Sequence, residues 1–508
     1  MHLTVKYGPL ENDLTLDGVS MVEYARPSPK VIDELKVIVG QEFVTTSRPI
    51  LASYVAKGIM GLECTVADAV VRPRTVEEIQ RILRLAGSER IPVTPTSGGL
   101  SGGFACPFVE PGGILLDLSR MDRILEVDVD CRYMVVEPGV TSGAAWSYFR
   151  SNYPHLAPPI PDGAPPAATL LGDAIERGFS LVTNKYGPQA DLVLGMEVVL
   201  PTGAIIRTGS WALPGAKPFY KWGLGPDLGG LFLGAQGTMG VVTKLAIKVL
   251  PHTEHKDLIA YGFETVEDMV EATFEVLKKE ICVLVQCGNW WLVPTRIAPE
   301  AEVSSQKDFW SKAGVPEWFS NFEIWGRDEE DLNYQRRIIH SVMGEAKKRG
   351  IRAEEWKLHP KQKASRLTKP NKIAIPYALF RGSFLFITWY TPWKDASQFC
   401  RIAEEKMTSY KIPPILWVAS IEHGREAICM PIVCFDPTKP DELKKVQDFN
   451  RDTTDVFLSK GWLNYRPDPK IHSRKTFSMA SDYFDLLKRI KSVLDPDGIM
   501  HPGRLTLP

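Results

Sequence analysis

The segment IPVTPTSGGLSGG (residues 91–103) places four glycines and the hydroxyls of Ser97 and Ser101 directly after a short apolar run. A strand that ends on glycines can aim consecutive backbone N–H groups at a pyrophosphate, because without a Cβ the chain comes close to the anion. The spacing is neither G-x-G-x-x-G nor G-x-x-x-x-G-K-[ST], so the Rossmann and Walker readings fail. Taken alone, the loop fits a plain glycine-rich turn as well as a phosphate cradle. The eight cysteines, Cys64, Cys106, Cys131, Cys282, Cys287, Cys400, Cys429 and Cys434, contain no C-x-x-C pair and no zinc or iron–sulfur spacing. They read as small buried hydrophobes. His252 and His255 stand three apart without neighbouring ligands, so no metal is expected.

The loop needs elements to hold it. In TVADAVVRPRTVEEIQRILRLA (65–86), a short apolar strand leads to Thr75 with Glu78 three residues on, a capping box. Val76, Ile79, Ile82, Leu83 and Ala86 recur at helical spacing, which predicts a helix ending near Gly87 and a new strand at 91–95. Strands follow at 114–118, 124–128 and 133–137, then a helix over 142–150. The proline-rich run 153–168 is expected to be irregular. Residues 196–200 and 204–208 flank Pro-Thr-Gly as a hairpin, and 241–250 forms a closing strand. Beyond Pro251 the pattern predicts helices at 265–279, 328–349, 396–410 and 441–460, with strands at 281–293, 384–390, 415–421 and 428–435. Two similar rounds suggest a sheet with helices on one side, and the fold class is α+β.

With 60 Lys+Arg against 61 Asp+Glu and a net charge of -1, no excess charge recruits a polyanion, so no nucleic-acid partner is expected. Apolar stretches such as PILWVASI fall short of the roughly 20 residues needed to cross a bilayer. The N-terminus carries no export pattern, which predicts a cytoplasmic protein.

The blocks MVVEPGVTSG (134–143), LGDAIERG (171–178), GMEVVLPTGAIIRTG (195–209), KPFYKWGLGPDLGGLFLGAQGTMGVVTKL (217–245) and LDPDGIMHPGR (494–504) occur in the order found in the vanillyl-alcohol oxidase / p-cresol methylhydroxylase flavoproteins. From about residue 65 onward the chain resembles that family, with 219–232 closest to the methylhydroxylase side. The resemblance implies a two-part FAD-binding domain over 65–252, to which 1–64 adds an extension. It implies a substrate-binding cap of antiparallel sheet and helices over 253–464, and a segment 465–508 that returns to the FAD domain.

Under the same resemblance, Pro95, Thr96, Ser97, Gly98, Gly99, Leu100 and Ser101 wrap the diphosphate, and Pro138, Gly139 and Val140 support the cofactor's edge. Leu171, Gly172, Asp173, Arg177 and Gly178 lie along the flavin, Gly237, Gly240, Val241 and Val242 approach the adenine-ribose half, and Arg504 completes the set. Gly178 and Gly240 fit a purely turn-shaping role equally well. Relatives often tether the flavin through a histidine or tyrosine. Here GGLSGG has no histidine, and Leu416, Trp417, Ile428 and Cys429 occupy the corresponding cap positions, so non-covalent FAD is expected.

On the substrate side, Tyr465 and Arg466 match a pair that grips a phenolate oxygen in the family. Moving a phenol pKa from about 10 to about 7 takes roughly 4 kcal/mol of preference for the anion. Two or three charge-assisted hydrogen bonds at about 1.5–3 kcal/mol each supply it. A third family donor, a tyrosine just after the glycine loop, is replaced by Gly103 and Phe104. Arg466 suits a carboxylate equally well, or an interdomain ion pair. Asp162 matches an acid near the reactive edge of the flavin. Glu422 and His423 form a cap pair able to take a hydroxyl proton, or are structural. The expectation is an FAD-dependent oxidoreductase that removes hydride from a 4-alkylphenol or 4-hydroxybenzylic alcohol and passes electrons to oxygen, a cytochrome or another redox protein. The rivals are a D-2-hydroxy-acid dehydrogenase and a flavin-bearing electron-transfer subunit. Oligomers are common in the family, though the sequence shows no interface.

Overall fold

The computed structural model describes residues 24–54, 66–99, 112–293, 314–358, 360, 363, 367 and 380–507. Three larger sheets and one two-stranded pair organise them. The first has the order Val44–Thr45, Ala69–Val71, Ile114–Asp117, Val93–Thr96, and its last three strands run parallel. The helix Val76–Glu89 covers it and is capped as predicted: Thr75 Oγ1 accepts the Glu78 N–H at 3.2 Å. That helix runs past Gly87 to a left-handed Arg90. Gly87 lies within the helix, and a Cβ there would stand 3.1 Å from the Asp497 carboxylate, so this glycine admits the C-terminal segment instead of ending the helix.

The second sheet is antiparallel, ordered Ile124–Asp128, Tyr133–Val136, Val241–Lys248, Val193–Val199, Ile205–Arg207. Its last two strands form the predicted hairpin, with Gly203 at φ +81° in the turn. The proline-rich run is irregular except at Leu156–Ala157, which pairs with Leu250–Pro251.

The third sheet has nine strands among the described residues, all antiparallel. Its order is Ala353–Glu355, Lys256–Phe263, Trp318–Trp325, Cys282–Asn289, Ile415–Ile421, Glu426–Phe435, Trp389–Pro392, Leu463–Asn464, with Ser383–Phe386 also on Glu426–Phe435. The helices Val266–Leu277, Glu329–Lys348, Ala396–Ser409 and Pro440–Ser459 contribute to one apolar core with this sheet. Two of its long strands, Lys256–Phe263 and Trp318–Trp325, had no counterpart in the sequence reading. The expected single strand 384–390 is broken at Ile387–Thr388, opposite Pro431, which has no N–H to continue the ladder.

The C-terminal segment crosses back to the first sheet. Val93 N–H donates to the Ile499 carbonyl at 2.8 Å and His501 N–H to the Val93 carbonyl at 2.9 Å. This return lays His501 and Arg504 beside the end of the strand Val93–Thr96.

Candidate active site

Where the first two sheets meet, an open groove of about 1020 Å³ is lined by Pro95, Thr96, Ser97 and Gly99, by Thr169, Leu171, Gly172 and Asp173, by Gln236, Gly237, Gly240 and Val242, and by His501 and Arg504, among others. Close backbone approach shapes it. Thr169 caps the short helix Leu170–Ile175 by accepting the Gly172 N–H, and its hydroxyl lies 2.7 Å from Ser97 Oγ. A Cβ on Gly172 would fall 2.7 Å from that Ser97 oxygen, and one on Gly237, which has φ +78°, would fall 2.9 Å from Pro95 Cγ. Larger residues at either position would push the walls apart or fill the space between them.

The groove fits FAD on two observations. Its walls expose backbone at Ser97, Gly99, Gly172 and around Gly237, as a dinucleotide requires, while Gly98 is not among the lining residues. The buried side-chain amide of Gln236 fixes its oxygen to Arg504 Nε, yet its Nε2 has no partner among the described residues. A buried donor left unsatisfied costs about 1–3 kcal/mol, which a bound acceptor removes.

Several expected residues stand elsewhere. Leu100 and Ser101 lie outside the described residues. Pro138, Gly139, Val140 and Val241 are not among those lining the groove. Gly139 instead lets the chain pass the Ser119 carbonyl, which a Cβ would approach to 2.5 Å, and Val140 and Val241 are core. Gly178 admits the Asp173 carboxyl, which a Cβ there would meet at 2.2 Å. Arg177, at φ +58°, donates to the Tyr465 carbonyl at 3.1 Å.

Tyr465 and Arg466 are both buried where the third sheet meets the groove. Arg466 donates to the Glu176 carbonyl at 3.0 Å and to the Asp173 carboxylate at 3.3 Å, and both partners belong to residues lining the groove. Burial lifts the Asp173 carboxyl to about 6 against the opposing pull of Arg466. The Tyr465 hydroxyl accepts the Phe179 N–H at 3.1 Å, and burial pushes its pKa up to about 12. Phe179, Tyr390 and Trp417 surround it, with Tyr390 edge-on to Tyr465 at 5.4 Å and Phe179 edge-on to Trp417 at 5.4 Å. Tyr390 and Ile428 are cross-strand partners, as are Ile428 and Ala419, and Ala419 and Gln286, so the four form one row across the sheet. Asp162 joins this cluster: its N–H donates to the Phe179 carbonyl at 3.3 Å, and its carboxylate accepts the Gln286 side-chain amide.

Glu422 and His423 are placed apart from it. They form the turn between Ile415–Ile421 and Glu426–Phe435, where Glu422 pairs with Arg425, and neither lines the groove. His252 packs between Arg150 at 2.7 Å and Lys256 at 2.9 Å, and burial together with these cations lowers its pKa to about 4. Among the described residues no cluster of His, Cys, Asp or Glu could hold a metal ion, and no helix is long and apolar enough to cross a membrane.

Sequence reasoning missed Thr169, Gln236, Gln286, Tyr390 and His501. His501, whose Nδ1 is 2.7 Å from the Gln236 carbonyl, lay within the quoted C-terminal block and was the easiest to find.

A family model described as "FAD binding domain" matches residues 67–209, and one described as "FAD linked oxidases, C-terminal domain" matches 476–505. The chain is 26% identical to the 4-cresol dehydrogenase [hydroxylating] flavoprotein subunit of Pseudomonas putida, covering 94% of this chain and 95% of that protein. It is 22% identical to the mitochondrial D-lactate dehydrogenase [cytochrome] of Arabidopsis thaliana, over 98% and 84% of the two chains. A crystal structure of p-cresol methylhydroxylase with substrate bound superposes with TM-score 0.84 at 24% identity, covering 94% of this chain and 96% of that one. The 4-ethylphenol oxidase of Gulosibacter chungangensis superposes with TM-score 0.81 at 22% identity, covering 93% and 96%.

Proposed function

We propose, from the premise that this chain is an FAD-dependent oxidoreductase with the p-cresol methylhydroxylase-type fold, that it removes hydride from a small aromatic substrate of the 4-alkylphenol or 4-hydroxybenzylic alcohol class. Bound in the groove, FAD supplies the hydride acceptor. The observation that carries the reading is the buried pair Tyr465–Arg466, joined through Asp173 and Glu176 to the groove on one side and walled by Phe179, Tyr390 and Trp417 on the other.

Each residue has a distinct task. Tyr465 donates its hydroxyl hydrogen to the substrate's acidic oxygen, while the Phe179 N–H holds the hydroxyl in place. Arg466 supplies the positive charge that favours the anion. The aromatic walls exclude water and stack against a ring. Asp162, oriented by Gln286 and bonded to Phe179, is the candidate for proton transfer, in preference to Glu422 and His423 in the turn after Ile415–Ile421. Leu416 and Cys429 belong to the core shared with the helices, and Trp417 and Ile428 sit in the aromatic patch around Tyr465. The segment therefore offers the flavin no tether, and FAD binds non-covalently. Residues 65–252 and 465–508 form the FAD-binding part, and 253–464 the cap.

Arg466 also suits a carboxylate, and relatives named D-lactate dehydrogenases keep a 2-hydroxy-acid substrate as the second reading. A panel of 4-alkylphenols, benzylic alcohols and D-2-hydroxy acids with an artificial electron acceptor separates the two. Turnover of phenolic compounds alone supports the proposal, and turnover of lactate or glycolate alone replaces it.

A further inference from the structure

A cation buried beside a dinucleotide groove invites the reading that it binds phosphate, and Lys491 is such a cation: its side chain is 2% exposed. Its surroundings assign it another task. The ammonium donates to the Thr238 carbonyl at 2.8 Å, to the Met500 carbonyl at 2.9 Å and to the Asp495 carboxylate. An ammonium has three hydrogens, and these three acceptors use them all. Asp495 in turn accepts the N–H groups of Ile499 at 3.1 Å and Met500 at 2.8 Å. Thr238 stands between Gly237 and Met239, and Met500 precedes His501; Gly237, Met239 and His501 all line the groove.

We propose that Lys491 is a positioning residue for the cofactor: it ties the turn that carries Gly237 to the C-terminal segment that carries His501, and so fixes the width of the groove between two chain segments far apart in sequence. This rests on the groove being the FAD site. The Gln236 carbonyl and His501 Nδ1, 2.7 Å apart, form a second tie between the same two segments, but one that a rotating imidazole can release. The ammonium bonds to the backbone of both segments at once and is neutralised by Asp495, so its loss frees both walls together.

The test compares Lys491→Met, which keeps the length and removes the charge, Lys491→Arg, which keeps charge and donors, and Asp495→Asn. Affinity for FAD is measured by titrating the apoprotein, thermal midpoints are read with and without FAD, and hydrogen exchange is followed at 236–242 and 499–505. Expected are binding weakened about tenfold or more in Lys491→Met, a smaller loss in Asp495→Asn, recovery in Lys491→Arg, and faster exchange in both segments together. Lys491→Met binding FAD within twofold of the parent, or losing the same thermal stability with and without FAD, overturns the proposal. If Lys491→Met does not fold, Asp495→Asn decides: unchanged FAD affinity with unchanged exchange in both segments overturns it equally. A parent apoprotein that takes up no FAD contradicts the assignment of the groove itself, a result distinct from any difference among the variants.

Discussion

Arg466 has two demands on one guanidinium. It holds Glu176 and Asp173 in the folded protein, and it is the charge proposed to receive a substrate oxygen. Replacing it with Ala removes charge-assisted bonds of about 1.5–3 kcal/mol, so flavin reduction at limiting substrate should slow by about 10- to 150-fold while the visible flavin spectrum persists. Rapid-mixing absorbance checks both, and an unchanged rate removes Arg466 from the substrate site. Asp173 adds a pH dependence. Its folded pKa, about 6, lies above the ordinary carboxyl value of 3.8, so the stability contributed by its protonated form is complete below about 4 and is lost as pH rises through about 6. Below 6 the neutral carboxyl no longer offsets Arg466. Benzoate, ionised throughout, should therefore bind more tightly as pH falls through about 6, and Asp173→Asn should flatten the profile; equilibrium titration from pH 5 to 8 measures it. The residues legible in the sequence were those whose neighbours are local, such as Thr75 and Glu78. Asp162 and Gln286 are 124 positions apart, and no local pattern announces such a pair.

Helices with one wet face were read well, whereas two of the strands with both faces dry were missed. The helix Val76–Glu89 shows its period because its outer face is polar. The strands Lys256–Phe263 and Trp318–Trp325 are buried along nearly their whole length, so neither alternates, and the period-two signal that marks a half-exposed strand is missing. The glycines add a second case: at Gly87 and Gly178 an added Cβ would crowd the carboxyls of Asp497 and Asp173, contacts between segments that no local pattern announces. Gly178→Ala should consequently act on the turn that holds Asp173. The added Cβ, 2.2 Å from that carboxyl, must displace it, with an expected stability loss of about 1–3 kcal/mol in denaturant unfolding. A variant as stable as the parent would show that Asp173 moves aside freely.

At the scale of the whole molecule, the C-terminal segment links the nine-stranded sheet to the groove: it carries Tyr465 and Arg466 at one end and His501 and Arg504 at the other. The family motifs made this route legible, since their order places LDPDGIMHPGR last, whereas the ammonium that anchors it bonds a carbonyl 253 residues away. The proposed cofactor and substrate sites thus share one strap. Because Leu416, Trp417, Ile428 and Cys429 occupy the positions proposed to correspond to a tether in relatives, acid precipitation should leave the flavin in the supernatant; colour in the pellet would reveal a covalent bond elsewhere in the chain.

One anaerobic titration tests the proposed pocket most directly. Protein reconstituted with FAD should be yellow, and about one equivalent of a 4-alkylphenol should bleach it completely, while D-lactate at the same concentration leaves it oxidised. A protein that stays yellow with every phenol offered, or that D-lactate alone reduces, contradicts the claim that the Tyr465–Arg466 pocket presents an aromatic substrate to the flavin.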